Sequence, residues 1–207
     1  SNQIGLSRYL QMEGMTYRLV PEKLPENIID ALNYDRMRLN LTQAALEDTI
    51  KTVTDYNDAI LENKGIYRYN NLNNHDMFFS GNIKRLVQNY RIGYLRMMQY
   101  QLAKNNLEEV NVLSEQLNEY FPNDVLPIDP WLGLEILDKI FKPLNDIENQ
   151  KTMIAHLVNS NGDINVKLIA IIRALELGHY ELTEQMIKEH IVKGSMNIDS
   201  KLALFFE

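Results

Sequence analysis

The stretch from Asn82 to Pro122, NIKRLVQNYRIGYLRMMQYQLAKNNLEEVNVLSEQLNEYFP, decides the fold. Its apolar residues return at three- and four-residue steps in two runs: Leu86, Tyr90, Tyr94, Met97, Met98 and Leu102, then Val110, Leu113, Leu117 and Tyr120. That period predicts two amphipathic helices with these residues on the buried side, running to about Lys104 and from Leu107 to Phe121. Asn82 is the expected N-cap, Asn105-Asn106 the hinge and Pro122 the stop. Helices joined by so short a hinge lie antiparallel.

Downstream the pattern recurs. Trp131–Phe141 and Ile147–Val158 form a second expected pair divided near Pro143. Val166–Leu177 and Leu182–Val192 form a third, divided by Gly178, and a last helix is expected from about Asp199. The hinges at Asn105-Asn106 and Gly178-His179 stand 73 residues apart, two periods of about 36. That spacing suits a helix-pair solenoid. With Pro122 at the closing proline of a tetratricopeptide repeat, Tyr94, Leu107, Val110 and Leu117 fall where large or apolar residues belong, but Met98 and Gln101 replace its glycine and tyrosine. A tetratricopeptide-like solenoid and an irregular helical bundle both remain open.

Upstream, Ile4 to Val20 starts with a short helical pattern and turns over at Glu13-Gly14. Met15–Val20 is rich in aromatic and β-branched residues and closed by Pro21, so it is expected to be extended. Glu26–Asn33 has room for one or two helical turns. Asn40 and Thr42 offer N-cap oxygens to a long helix, Leu41–Glu62, carrying Leu46, Ile50, Val53, Tyr56 and Ile60, with Lys64-Gly65 at its end. Ile66–Ser80, crowded with Asn and Tyr, reads as an ordered loop. The expected chain is all-α, built of antiparallel helix pairs after a short extended segment. Residues 1–81 hold the junction segment, long helix and loop, and residues 82–207 the helical repeats.

Composition agrees. The chain has 207 residues, 45% hydrophobic and 24% charged, with 9 Gly, 6 Pro and no Cys. Gly and Pro together are about 7%, against roughly 12% on average, which favours long elements over tight turns. The absence of Cys excludes disulfides, Cys-ligated zinc, iron–sulfur clusters and a thiol nucleophile. A formal charge of −7 points away from nucleic acid, whose phosphates need a concentrated basic surface. No stretch approaches the roughly 20 apolar residues of a membrane span. Ser1-Asn2 reads as the remnant of a tag-removal site, so a longer parent protein is expected.

No constellation of residues passes as an active site. His75, His156, His179 and His190 lack metal-binding spacing, and the reading for them is solvated surface. Ser80-Gly81 and Gly194-Ser195 sit in no nucleophile elbow, the glycines form no phosphate loop, and Asp55/Asp58 and Glu108/Glu109 read as water-facing pairs. The nine methionines read as core filler. Asn40-Leu41-Thr42 matches a glycosylation sequon.

The aromatic residues are more informative. Tyr67, Tyr69, Phe78, Phe79, Tyr90, Tyr94 and Tyr100 lie close together, interleaved with Arg68, Arg85, Arg91 and Arg96. One reading is a groove in which tyrosine and arginine anchor a peptide or sugar. The other is a loop packed onto a helix with its arginines on the wet side. With Arg18, the residues Tyr67, Tyr69, Arg85, Arg91 and Tyr94 make the candidate interaction surface. No catalytic, cofactor or metal residue is expected.

The run Ile4-Gly5-Leu6-Ser7-Arg8-Tyr9-Leu10-Gln11-Met12-Glu13-Gly14-Met15-Thr16-Tyr17-Arg18-Leu19-Val20-Pro21 resembles the stretch following the last membrane span in a bacterial family of polytopic proteins, common in Bacteroidetes and related to protein O-mannosyltransferases. The Asn82–Pro122 helix pair is similar to the tetratricopeptide-like tail of such proteins. The resemblance implies a soluble C-terminal domain on the extracytoplasmic side of a membrane glycosyltransferase-like protein. It transfers no catalytic residue, since the family's acidic motif lies in an early loop. Its partner would be its own membrane domain or an acceptor protein, with Tyr17 and Leu19 packed inward and Arg18 outward. A free-standing scaffold and a small helical enzyme are the alternatives.

Overall fold

The computed structural model describes residues 5–27, 29–43, 67, 69–160 and 163–192. It is mostly helical, with one two-stranded sheet among the described residues, so the fold is all-α with a short extended segment near its start. The chain divides into two compact units, Ser1–Ile128 and Asp129–Glu207. The Leu41–Glu62 helix lies almost wholly outside the described residues, as do its Lys64-Gly65 end and the helix from Asp199.

In the first unit a 3₁₀ turn, Leu6–Tyr9, leads into β1 (Leu10–Met12), which pairs antiparallel with β2 (Tyr17–Leu19). Sequence foresaw the extended segment but not β1. Glu26–Asn33 makes only an α-turn, the Ala31 amide donating to the Asn27 carbonyl at 3.1 Å. Helix α1 (Tyr34–Arg38) is capped by the Asn33 side chain and widens into a π turn, Leu39–Gln43. The helix that Asn40 and Thr42 were expected to cap lies outside the described residues from position 44 onward. The Asn40 amide donates to the Glu13 carbonyl and the Thr42 hydroxyl to the Arg38 carbonyl.

Helix α2 (Gly81–Ala103) is capped by Ser80, two residues earlier than the Asn82 expected, because the serine oxygen accepts from the Ile83 amide. It packs along α3 (Leu107–Tyr120), which Asn106 caps. Tyr94, Leu95, Met97 and Met98 of α2 meet Val110, Leu113 and Leu117 of α3 in the core. Each such side chain contributes ~1.5–3 kcal/mol on burial. Leu86 is half-exposed rather than inward-facing, and Val87 takes the buried position at that turn. A Cβ on Gly93 would stand 2.7 Å from a Leu41 methyl, so glycine lets the π turn seat against α2.

In the second unit α4 (Pro130–Ile136), capped by Asp129, continues as a π segment, Leu137–Phe141, into α5 (Lys142–Leu144). Then come α6 (Ile147–Asn159), α7 (Ile164–Glu176) and α8 (Tyr180–Met186), the last widening into a π segment, Ile187–Val192. Pro143 was expected to divide the second pair. It lies in α5, directly after the π segment, and the helix runs through it. Asn145, in the left-handed conformation at φ 53°, makes the break.

The three joints share one geometry. Asn105, Asn145 and Gly178 all have positive φ. Each is preceded by a closing turn in which the residue's own amide and that of its successor bond back, Asn106 to Gln101, Asp146 to Phe141 and His179 to Ala174. The successor is the N-cap residue of the next helix every time. One αL residue thus ends one helix and starts another, which makes each pair antiparallel with no spare chain.

Candidate interaction surface

Hydrogen bonds tie the N-terminal hairpin to the rest of the first unit. Gly14 turns it with φ 118°, a conformation side chains rarely adopt, and a Cβ there would stand 2.7 Å from the Tyr67 hydroxyl. That hydroxyl accepts from the Met15 amide at 3.1 Å. The Glu13 carboxylate takes Arg18 at 3.1 Å and the Asn33 side chain at 3.3 Å, while the Asn33 amide donates to the Met12 carbonyl at 3.0 Å. Glu13 therefore ties both strands to the start of α1.

One face of this hairpin is apolar and open. Leu10 stands opposite Leu19 and Met12 opposite Tyr17. Met12 is buried, but Tyr17 is 52% exposed and Leu19 61%. The inward packing expected of Tyr17 and Leu19 is corrected: the hairpin curls so that β1 lies against α1's entry and β2 faces solvent. A cleft of about 320 Å³ opens along β1, lined by Leu10, Met12, Leu24, Pro25 and Ala31 with Tyr17 of β2 and the polar Ser7, Arg8 and Glu26. Its wall is braced by Arg8, which donates to the Leu24 carbonyl at 2.9 Å and to Glu26 at 3.0 Å.

Three of the six residues expected to form a binding surface, Tyr69, Arg91 and Tyr94, are internal. Tyr69 and Tyr94 are buried, and both hydroxyls donate to the Leu41 carbonyl, at 2.9 and 3.0 Å. Burial pushes both phenols well above their ordinary pKa, so they remain donors. Tyr69 meets Phe121 edge-on at 4.8 Å and Tyr90 at 5.3 Å. Arg91 is only 1% exposed, against the expectation of arginines on the wet side. Its guanidinium donates to Phe121 O at 2.7 Å, to Leu126 O, and to the side chains of Asn123 and Gln88 at 3.2 Å. Burial lowers its pKa to about 10, which still leaves a cation at neutral pH.

Arg91 is thus a staple on the carbonyls that follow α3. Among the described residues the cluster is a packed loop, with Tyr69, Arg91 and Tyr94 inside it. Arg18 and Arg85 are exposed and Tyr67 is half-buried. Phe78 projects at 89% exposure, and Arg68 lies outside the described residues. Sequence did not suggest a second cluster, in which Glu109 of α3 accepts from Tyr34 at 2.9 Å and Arg38 at 2.5 Å, and Tyr34 stacks on Tyr100 at 4.8 Å. Burial pushes the Tyr34 hydroxyl up to about 12. Only the i, i+4 spacing of Tyr34 and Arg38 hinted at it, because Glu109 lies more than seventy residues away.

The remaining candidates for chemistry resolve into structure. Among the described residues no group of three His, Asp or Glu side chains could hold a metal ion. His75 pairs with Asp124 at 3.5 Å on the surface. His179 departs from the surface reading: it is buried, with Nε2 2.9 Å from the Gln150 side-chain oxygen. Since the Gln150 amide donates to the Phe141 carbonyl, His179 carries the proton on Nε2 and donates it. Ser80 is a cap, and the buried Asn40 amide of the sequon is already bonded. No helix among the described residues is long and apolar enough to cross a membrane. Comparison with family models, with curated proteins and with solved structures finds no match to this chain.

Proposed function

We propose that this chain is a non-catalytic helical domain serving interdomain or protein–protein contact. It is the soluble tail of a membrane glycosyltransferase-like protein, held on the extracytoplasmic side, and it docks on its own membrane domain or an acceptor protein through the hairpin. The observation carrying this reading is the pairing of opposites at β2. Tyr17 and Leu19 are left in water, on a hairpin that Glu13, Gly14 and Asn33 hold rigid against the helices. Covering the exposed halves of these two side chains would contribute ~1–2 kcal/mol each, without ordering anything new.

The test uses the full-length protein. Tyr17→Glu with Leu19→Glu places two charges on the docking face while sparing every hydrogen bond of the hairpin. The tail should then detach from the rest of the protein in co-purification after limited proteolysis. Unchanged association and activity would sink the reading.

A further inference from the structure

The hydrogen bonds of the hairpin say which way the backbone of β2 points. In an antiparallel pair, hydrogen-bonded residue pairs recur at every second position. The Val20 amide donates to the Tyr9 carbonyl at 2.8 Å and the Glu13 amide to the Thr16 carbonyl at 3.0 Å. With Gln11 opposite Arg18, the bonded pairs are therefore Tyr9/Val20, Gln11/Arg18 and Glu13/Thr16. Tyr17 and Leu19 turn their N–H and C=O the other way. The sheet has two strands, and no described residue bonds to these four groups. On the outer side of β1, by contrast, two carbonyls are taken: the Leu24 amide donates to the Arg8 carbonyl and the Asn33 amide to the Met12 carbonyl.

From this edge we infer that the domain binds an extended segment of a partner protein by strand addition, of the pattern apolar–acidic–apolar. The inference rests on the docking role proposed above and specifies its chemistry. Two apolar residues of the added strand would stand opposite Tyr17 and Leu19, on the same face as their side chains, and exchange backbone bonds with them. The residue between them falls opposite Arg18, on the other face. Arg18 gives Nε and Nη2 to one oxygen of Glu13 and stays more than half exposed, so its remaining donors can take a second carboxylate. Pro21, with no N–H, limits the pairing to three residues. A second copy is a poor occupant, because the two-fold antiparallel register that uses both Tyr17 and Leu19 sets Arg18 against its own equivalent.

The probe is an acetylated and amidated pentapeptide, Thr-Val-Glu-Val-Thr, titrated into the ¹⁵N-labelled chain. Saturable shifts confined to the amides around Tyr17 and Leu19 are expected. N-methylating both valines should weaken binding by about tenfold, because it removes the peptide's two donors to the edge. Exchanging Glu for Lys should weaken it by about threefold at low salt, and the difference should shrink as salt is added. Equal binding by the N-methylated or Lys peptide, or no saturable shift, would overturn strand addition. So would concentration-dependent dimerisation through these same amides. Peptides that fail while Tyr17→Glu with Leu19→Glu still releases the tail would overturn the strand and keep the docking role. Peptides that bind while the full-length protein stays assembled would do the reverse.

Discussion

Replacing Gly14 by alanine probes how the hairpin is held. Its φ of 118° lies outside the left-handed well, and forcing a side chain to stay there costs ~1–3 kcal/mol. The new Cβ would meet the Tyr67 hydroxyl at 2.7 Å and two ring carbons at 3.1 and 3.2 Å, so Tyr67 must withdraw. With it goes the bond from the Met15 amide, worth ~0.5–1.5 kcal/mol. Together the change costs ~2–4 kcal/mol, against a total stability of ~5–15 kcal/mol. The helices survive and the hairpin loosens. Hydrogen exchange at the Met15 amide reads that opening locally, while urea unfolding followed by circular dichroism reads the part shared with the core. Tyr67→Phe removes the nearest atom, so in that background Gly14→Ala should cost less by ~0.5–1.5 kcal/mol. An additive cycle, or unchanged exchange at Met15, would refute the contact and with it the rigidity assigned to the docking face.

Two further outcomes follow from the buried polar groups. Arg91→Lys keeps the cation but not the fork that spans Phe121, Leu126, Asn123 and Gln88, and should lower stability by ~1–3 kcal/mol; an unchanged urea midpoint would refute the staple. Burial, and secondarily Lys151, holds the His179 imidazole below its ordinary 6.5, so the unfolded chain takes up its proton first. Stability from this group is whole above that value and declines as pH falls below it, and His179→Gln should flatten that decline in thermal melts between neutral and mildly acidic pH.

The helical half was legible because its signals are local. Apolar spacing of three and four residues placed α2, α3, α6 and α7 to within a few positions, and Asn105 and Gly178 marked joints where a left-handed residue is needed. Pro143 misled because the helix runs through it after the π segment, and the break falls at the left-handed Asn145. The candidate surface was hardly legible. Strand β1 forms because β2, Leu24 and Asn33 supply partners for its backbone, and nothing in Leu10–Met12 itself announces them. Arg91 looked like a surface cation because its acceptors at Phe121 and Leu126 lie 30 and 35 residues on.

By itself, then, the amino-acid order determined that this chain is a succession of capped, paired helices without thiol chemistry, since helix period, caps and joints depend on residues within a turn or two of each other. Which residues face water was decided only by the tertiary structure. Burial depends on what packs from elsewhere in the chain, and a period of two or four cannot tell an open face from a covered one. Long-range packing drew Tyr69, Arg91 and Tyr94 into the interior and left Tyr17 and Leu19 outside, on the edge of a three-residue strand.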